Sequence, residues 1–173
     1  MATIVRGIIS VLFGNYPHGS DGTVQPIEWD VLKREGNKAL LISKNVLTAR
    51  RFDEKSNVWA DSEIRRWLNN EFLNTAFKEE EKAAILYQEL PDVGTTDNVF
   101  LLSDNEAESL YKSDAARCKD ELWWWLRSPY SSSDHITGIV DYHGSLGIGS
   151  ADNDHVGVSP ALWVDLDSDI FKS

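Results

Sequence analysis

The side chains best suited to chemistry are concentrated in residues 130–159. This segment contains three histidines and four aspartates, namely His135, His143, His155, Asp134, Asp141, Asp152 and Asp154. Imidazole and carboxylate groups bind metal ions, transfer protons and activate serine hydroxyls. The segment therefore raises three hypotheses: a metal centre, a nucleophilic hydrolase and a glycoside hydrolase.

The spacing of these residues does not support a metal centre. The sequence has no H-E-x-x-H motif, and the residues after Asp152-Asn153-Asp154 lack the glycine and distal glutamate of a calcium-binding loop. Cys118 is the only cysteine, so the sequence provides no intrachain disulfide and no cysteine-rich zinc site. We expect no bound metal ion and no cofactor.

Catalytic patterns are equally weak in this segment. No serine lies in a G-x-S-x-G elbow, and no glutamate is present to form the carboxylate pair of a glycosidase. We therefore expect that the protein is not an enzyme. The alternative is a carbohydrate-active or other hydrolytic enzyme that uses the His/Asp cluster, and a third hypothesis is a structural domain without a dedicated ligand.

The composition of residues 130–159 is typical of a binding surface. Ser, Gly, Asp and His are abundant and are joined by two Tyr and one Asn, and such residues combine rigid aromatic area with adaptable hydrogen bonds. Lys, Glu, Gln, Met and Trp are absent, and these five types cannot be reached by changing the two adenines of an AAC asparagine codon.

Most positions of the segment belong to eight of the residue types that such changes reach: Asn, Asp, His, Tyr, Ser, Thr, Ile and Gly. The positions outside this set are Val140, Leu146, Ala151, Val156 and Val158. We expect these to be fixed scaffold positions, most of them pointing inward along the strands.

Length and charge limit the class of protein. A chain of 173 residues with 42% apolar content predicts one globular domain with a sizeable core. The formal net charge of -11 argues against nucleic acid and anionic membrane surfaces as partners. Neither a signal peptide nor an apolar run of membrane-spanning length is recognised. This leaves open whether the protein is cytoplasmic, associated with a virion or exported by another route.

The first third of the sequence predicts a β-meander. Residues 4–13 are apolar and β-branched, as in a strand, and residues 14–22 predict a loop. Residues 26–32 alternate apolar and polar side chains, which predicts a half-buried strand. A hairpin turn at residues 35–37 should connect it to a buried strand at residues 39–43.

The middle of the sequence predicts helices. They span residues 63–72, 79–86 and 104–111, with a short strand at residues 99–102. Ser62 or Asp61 is suited to cap the first helix, and Ser103 or Asp104 the third. From residue 122 onward the pattern returns to strands, with a tight turn at residues 142–145. This order of strands, helices and strands predicts an α+β domain over residues 1–173.

Large side chains on these elements have structural interpretations. Trp29, Trp59 and Trp67 are assigned to the core. Trp123, Trp124 and Trp125 raise the hypothesis of a sugar-stacking platform. Because alternate side chains of a strand point to opposite faces, Trp124 should face away from Trp123 and Trp125, and we expect at least one face of this run to be core. Arg127 is expected to form a structural salt bridge or to contact backbone carbonyls.

Motifs spread over nearly the whole chain resemble one family. They are Ile27-Glu28-Trp29, Leu40-Leu41-Ile42-Ser43, Trp59 with Ser62, Arg65, Trp67, Leu68 and Asn69, Phe100-Leu101-Leu102-Ser103, Trp124-Trp125-Leu126-Arg127-Ser128-Pro129, and Gly157-Val158-Ser159-Pro160-Ala161-Leu162. The sequence resembles a tryptophan-rich bacterial and phage domain family marked by W-W-L-R-S-P and a closing G-V-R-P-A-L. Its members resemble the variable proteins of diversity-generating retroelements, in which adenine-directed mutagenic copying rewrites the C-terminal end of a C-type-lectin-like fold.

This resemblance implies an α+β, C-type-lectin-like fold of the formylglycine-generating-enzyme type, with residues 130–159 as its variable region. The implied ligand-binding face comprises Tyr130, Ser131, Ser132, Ser133, Asp134, His135, Ile139, Asp141, Tyr142, His143, Ser145, Gly147, Ile148, Asp152, Asn153, Asp154 and His155. Tyr130, Tyr142 and the three histidines are the expected anchors, since aromatic residues tend to dominate binding energy.

The resemblance also implies the kind of partner. The face would bind a protein or glycan ligand, not nucleic acid, and no membrane insertion is expected; the oligomeric state stays open. Formylglycine-generating enzymes use active-site cysteines, and Cys118 alone cannot supply a pair. Ser159 stands where the family has Arg, which implies either a looser closing loop or a position that belongs to the varied set.

Overall fold

The structure is a computed structural model that describes residues 10–172. In chain order, its strands are β1 (Ser10–Pro17), β2 (Val24–Glu35), β3 (Lys38–Ser43), β4 (Thr48–Ala49), β5 (Gln88–Leu90), β6 (Thr95–Asp97), β7 (Trp124–Pro129), β8 (Ile136–Val140), β9 (Leu146–Ser150), β10 (Gly157–Val158) and β11 (Ala161–Asp165). Its helices are α1 (Glu63–Trp67), α2 (Leu73–Ala76), α3 (Glu79–Lys82), α4 (Asp104–Leu110) and α5 (Asp114–Arg117). Short 3₁₀ turns lie at Trp59–Asp61 and Asp169–Phe171, and a π-helical turn at Leu68–Phe72 joins α1 to α2.

Two sheets contain most of the strands. The first has the strand order β1-β2-β3-β11, and the second has the order β4-β10-β7-β8-β9. β5 and β6 form a small separate hairpin. Strand β11 comes after the second sheet in sequence but pairs with β3 in the first, with Leu162 opposite Leu41. The α+β class is therefore confirmed, and both halves of the chain contribute to one core.

The predicted meander is confirmed, with one difference at its start. Part of the strand expected at residues 4–13 lies outside the described residues, and β1 continues past Gly14 to Pro17. The loop expected at residues 14–22 is therefore shorter. The register of β1 against β2 shifts between Leu12 and Asn15, and this irregularity accommodates Gly14, whose φ is 73°. The hairpin turn between β2 and β3 is centred on Gly36, as expected.

The predicted helix starts agree with the structure better than the predicted helix lengths do. The Ser62 hydroxyl accepts a hydrogen bond from the Arg65 N–H, and the Ser103 hydroxyl accepts one from the Glu106 N–H. The helix expected at residues 79–86 ends at Lys82. Residues 99–102 are fully buried but form only a bridge between Phe100 and Ala161, not a strand.

The core is rich in aromatic side chains. Trp29 and Trp59 are almost completely buried, and Trp67 is buried as well. Trp124 and Trp125 are both fully buried because β7 is an interior strand that is covered on both faces. They contact different partners: Trp125 packs on Phe52 and Trp124 near Tyr111, as the predicted alternation requires.

Buried polar side chains connect the segments around the core. Arg127 bonds to Asp92, to Glu106 and to the Leu101 carbonyl, which confirms its structural role. Ser159 is fully buried, and its hydroxyl donates to the Ser43 carbonyl at 3.1 Å. Ser159 therefore does not lie on an exposed varied surface. The ammonium group of Lys119 donates to the same carbonyl at 2.8 Å and helps to hold this end of the sheet.

Candidate functional site

Three loops around the β8–β9 hairpin carry most of the predicted binding residues. The 130s loop (residues 130–135) joins β7 to β8, and the 140s turn (residues 141–145) joins β8 to β9. The 150s loop (residues 151–156) joins β9 to β10. All three loops connect strands of the second sheet, so each loop backbone begins and ends on a hydrogen-bonded strand.

Most of the predicted face is accessible to solvent. Eleven of its residues are exposed: Tyr130, Ser131, Ser132, Asp134, His135, Tyr142, His143, Ile148, Asp152, Asp154 and His155. The half-buried residues are Ser133, Asp141, Ser145, Gly147 and Asn153.

Ile139 corrects the predicted face, because only 1% of its surface is exposed. It lies on the interior strand β8, opposite Trp125 on one side and Gly147 on the other. A Cβ atom added at Gly147 would lie 3.2 Å from the Cδ1 atom of Ile139, so the isoleucine fills the space left by the glycine. Ile139 is part of the scaffold.

The positions expected to be fixed are mostly buried. Val140, Ala151, Val156 and Val158 are each no more than 1% exposed, as predicted. Leu146 differs, with 37% of its surface exposed, because it lies on the edge strand β9.

A scaffold asparagine holds the backbone of the 130s loop. The buried Asn57 side chain donates from Nδ2 to the carbonyls of Ser133 and Ile136, each at 2.8 Å. Its backbone N–H donates to the Asp134 carbonyl at 3.0 Å. All three bonds end on backbone oxygens of the segment. The loop conformation is therefore fixed from outside.

The 140s turn is held in a similar way. Arg117 Nε donates to the Gly144 carbonyl at 2.7 Å, and the Cys118 thiol donates to the Tyr142 carbonyl at 2.9 Å. Gly144 has a φ of 82°, as the sequence predicted, and a Cβ atom there would lie 1.7 Å from the Asp114 carbonyl oxygen. The Asp141 carboxylate also accepts from N–H groups within the turn.

Residues of the β4 region hold the 150s loop. The N–H groups of Phe52 and Asp53 both donate to the Ala151 carbonyl, at 2.9 and 3.1 Å, and the Arg50 N–H donates to the Val156 carbonyl at 3.0 Å. Trp125 Nε1 in turn donates to the Arg50 carbonyl at 2.8 Å. In all three loops, groups outside the segment bond to loop backbone.

An aromatic cleft forms where the 140s turn meets the 150s loop. Its volume is about 290 Å³, and it is lined by Leu122, Trp123, Tyr142, Asn153, His155 and Val156. The ring centroids of Trp123 and Tyr142 are 5.6 Å apart. Trp123 Nε1 is buried and has no hydrogen-bond partner among the described residues. The cleft can accept an apolar or aromatic group.

The binding residues form a strip and not one cluster. The 130s loop and the 140s turn lie at opposite ends of β8, about 20 Å apart along the strand. The 150s loop connects the two ends: the Ala151 N–H donates to the His135 carbonyl, and Asn153 and His155 reach the cleft beside Tyr142.

The histidines and aspartates that suggested catalysis do not converge. Among residues 10–172, no group of three or more His, Cys, Asp or Glu side chains is placed to hold a metal ion. His135 and Asp134 form a pair of sequence neighbours at 3.0 Å, as do His155 and Asp154 at 3.4 Å. Hydrogen bonding to His135 holds the pKa of the Asp134 carboxyl below its usual range.

The contacts of His135 also differ from those of a nucleophile-activating relay. Ser133 Oγ and Asp134 Oδ1 both contact the same ring nitrogen, Nδ1, at 3.2 and 3.0 Å. A relay needs the carboxylate on one nitrogen and the hydroxyl on the other. This trio therefore lacks the geometry of such a relay.

Three residues that hold the loop backbones are not predicted to do so from the sequence: Asn57, Arg117 and Cys118. No short-range signal marks Asn57 or Arg117, because their partners lie far away in sequence. The sequence does single out Trp123, as part of a tryptophan run that could stack on a sugar, and Trp123 lines the cleft.

Comparison with known proteins gives one match. The profile of the family described as "Domain of unknown function (DUF6273)" matches residues 36–166, well over half of the chain. No curated protein and no solved structure gave a significant match. None of the helices among residues 10–172 is long and apolar enough to cross a membrane. The matched range contains β3 and β11 of the first sheet, the whole second sheet and all three loops of the site, and the chain belongs to the DUF6273 family.

Proposed function

We propose that this protein is a ligand-recognition module whose exposed loops form a hypervariable surface, diversified by a retroelement. Its ligand is a protein or a glycan. The loops supply recognition, and the tryptophan-rich core supplies a constant frame. The proposal treats the His, Asp and Ser side chains of the loops as contact residues and not as catalytic groups.

One observation carries the proposal: the loop backbones are held by scaffold groups that bond to carbonyl oxygens. Asn57, Arg117 and the N–H groups of residues 50–53 supply these bonds. A carbonyl acceptor is present whatever the side chain, so these bonds survive most substitutions in the loops. A surface that must change sequence while keeping its shape needs this property.

The exposure pattern supports the same proposal. Substitutions at exposed positions away from special features shift stability by about 0.5 kcal/mol or less, whereas buried ones are felt strongly. Except for Gly147 and Ile148 on the edge strand β9, the accessible members of the face lie on loops, and Val140, Ala151, Val156 and Val158 are buried. Variation on the loops would leave this buried layer intact.

We further propose that the fold is C-type-lectin-like, of the formylglycine-generating-enzyme type. Two features support this. Strand β11 returns to the N-terminal meander and closes the first sheet, and the segment that precedes it forms a hairpin in a second sheet. The long segment between β3 and β11 therefore begins and ends in the first sheet.

The binding mode would centre on the aromatic cleft. Tyr142 is 53% exposed and lies beside the partly buried Trp123, so a ligand group inserted there would contact two rings. Aromatic side chains surrounded by small polar contacts are typical of binding hot spots. Tyr130, which is 41% exposed, would provide a second anchor at the other end of the strip.

A displayed library tests this proposal. The exposed and half-buried non-glycine positions of the face would be randomised with codons derived from AAC, and the clones displayed on yeast. We expect most clones to be displayed at the wild-type level, and binders of a purified protein probe, hen egg-white lysozyme, to be recovered. A matched library at Val140, Ala151, Val156 and Val158 should lose display.

Two results would contradict the proposal. The first is loss of display in the face library, because the loops would then be needed for folding. The second is turnover of a glycoside or ester substrate that disappears in His143→Ala or Asp141→Ala while the fold is retained, since the cluster would then be catalytic.

A further inference from the structure

Strand β9 forms one edge of the second sheet. It pairs with β8 on one side, and no other strand of the described chain pairs with it on the other. Its residues, Leu146-Gly147-Ile148-Gly149-Ser150, carry no charge and no proline. The pairing with β8 is regular over five residue pairs, without a bulge. Edge strands are usually protected by lysine, proline or bulges, and β9 has none of these.

The register fixes which backbone groups of β9 point outward. The Asp141 N–H donates to the Ser145 carbonyl at 2.9 Å, and the Ala151 N–H donates to the His135 carbonyl at 2.8 Å. Hydrogen-bonded pairs alternate along an antiparallel ladder, so Gly147 and Gly149 face β8. The N–H and C=O groups of Leu146 and Ile148 therefore point away from the sheet.

The side chains and charges around β9 indicate what kind of ligand would fit its outer edge. Leu146 and Ile148 are 37% and 48% exposed and lie on the same face of the strand. A carboxylate lies near each end: Ser145 Oγ donates to Asp114 at 3.2 Å, and Ser150 Oγ donates to Asp152 at 2.7 Å. Asp114 is shared with the buried Arg117, but its side chain is 63% exposed.

We infer that the outer edge of β9 binds an extended, cationic segment of a protein ligand by strand addition. The inference rests on the proposed function and specifies its partner as polypeptide, not glycan. Backbone hydrogen bonds to Leu146 and Ile148 would hold the segment. Its apolar side chains would pack on Leu146 and Ile148, and basic residues at its ends would lie near Asp114 and Asp152. Residues 130–159 contain four aspartates and no lysine or arginine, which agrees with a basic partner.

The probe for this inference is a synthetic peptide of about seven residues, long enough to cover the five residues of β9. Its sequence is acetyl-Arg-Val-Thr-Val-Thr-Val-Arg-amide. One control peptide has glutamate at both ends, and a second keeps the arginines but is N-methylated at each Val and Thr. We expect the cationic peptide to bind, and both controls to bind at least about tenfold more weakly.

Protein variants locate the contact. Ile148→Pro removes one outward N–H but no bond to β8, and should weaken binding of the cationic peptide by about tenfold or more. Ile148→Val keeps the N–H and should leave the affinity within about threefold. In the wild-type protein, the amides of Leu146 and Ile148 should exchange with deuterium fast, and about tenfold slower with peptide bound. This exchange measurement does not depend on the folding of any variant.

The outcomes separate this inference from the proposed function. Absence of binding, or binding that N-methylation and Ile148→Pro leave unchanged, overturns strand addition. Binding that is lost in Tyr142→Ala but unaffected by Ile148→Pro also overturns it, and at the same time supports recognition by the loops. Binding lost in Ile148→Pro and in the N-methylated peptide supports the inference.

Discussion

At the scale of single residues, Asn57 is the most informative position. Its two side-chain partners lie 76 and 79 residues away in sequence, so neither contact is visible as a local pattern. The side-chain amide donates to one carbonyl of the 130s loop, that of Ser133, and to the carbonyl of Ile136 at the start of β8, and neither bond involves a loop side chain. The shape of a binding loop thus depends on a residue that does not belong to it.

Replacing Asn57 should loosen the 130s loop. In Asn57→Ala the Ser133 carbonyl loses its Asn57 donor and the Ile136 carbonyl keeps only the Tyr130 N–H, so the free energy of unfolding should fall by about 1–3 kcal/mol. Urea denaturation measures this change. The matched control is Ser132→Ala, at an exposed position of the same loop, which should change stability by no more than about 0.5 kcal/mol. Equal effects of the two substitutions would show that the loop is not held by Asn57.

Lys119 makes stability depend on pH in a specific window. Burial lowers the pKa of its ammonium group from 10.5 to about 8, against the opposing influence of Asp30 and Asp120. Between these values the unfolded chain holds a proton that the folded chain has lost. Stability therefore rises with pH across this window, by at most about 1.4 kcal/mol per pH unit.

A comparison with Lys119→Met isolates this effect. The stability of the wild-type protein relative to the variant should increase between pH 8 and pH 10, and should be constant below pH 7. Urea denaturation at several pH values provides the measurement. A difference that stays constant through pH 10 would mean that burial does not penalise the charged lysine.

At the scale of elements, local signals predicted starts and turns better than lengths. Each helix cap was predicted as one of two neighbouring residues, and the structure selects Ser62 and Ser103, whose hydroxyls accept from N–H groups three residues away. The end of α3 at Lys82 was missed, since the following residues leave the helix to bond elsewhere: the Leu86 N–H donates to the Trp163 carbonyl. Long-range pairing of this kind overrides helix propensity.

The 140s turn packs against α5, and a substitution at Gly144 tests how tight this packing is. Gly144→Ala would place a Cβ atom 1.7 Å from the Asp114 carbonyl oxygen, so the turn must move away from α5. We expect a loss of more than about 3 kcal/mol in the free energy of unfolding.

Gly22→Ala is the control for this substitution. Gly22 also has a positive φ, of 67°, but an added Cβ atom there would meet nothing within 4 Å. Gly22→Ala should therefore add only backbone strain, which lowers the free energy of unfolding by about 1 kcal/mol. Thermal denaturation of both variants separates the clash from the strain, and similar losses in the two would contradict the docked position of the turn.

At the scale of the whole molecule, two sheets share a core and the loops project from one of them. The sequence predicted the α+β class because the order of strands and helices is visible in hydrophobic periodicity. It also predicted which valines of the segment are buried. It did not predict that Ile139 is buried. Isoleucine occurs both on exposed surfaces and in cores, and Ile139 is buried because it lies on an interior strand.

The arrangement of the loops could not be predicted either. Residue types indicated a contact surface, but not that the 130s loop and the 140s turn lie at opposite ends of β8. That separation follows from the antiparallel pairing of β8 with β7 and β9. A strip of loops with a cleft at one end, and not a single pocket, is what this pairing produces.

Sequencing the gene and its surroundings, in many isolates, tests the proposed recognition surface most directly. We predict a nearly identical copy of the segment that encodes residues 130–155, with asparagine codons at many exposed positions, beside a reverse-transcriptase gene. Differences between isolates should fall on the exposed and half-buried positions of the face, and Ile139, Val140, Ala151 and Val156 should stay constant. The absence of such a copy, together with substitutions spread evenly over buried and exposed positions, would contradict the proposal.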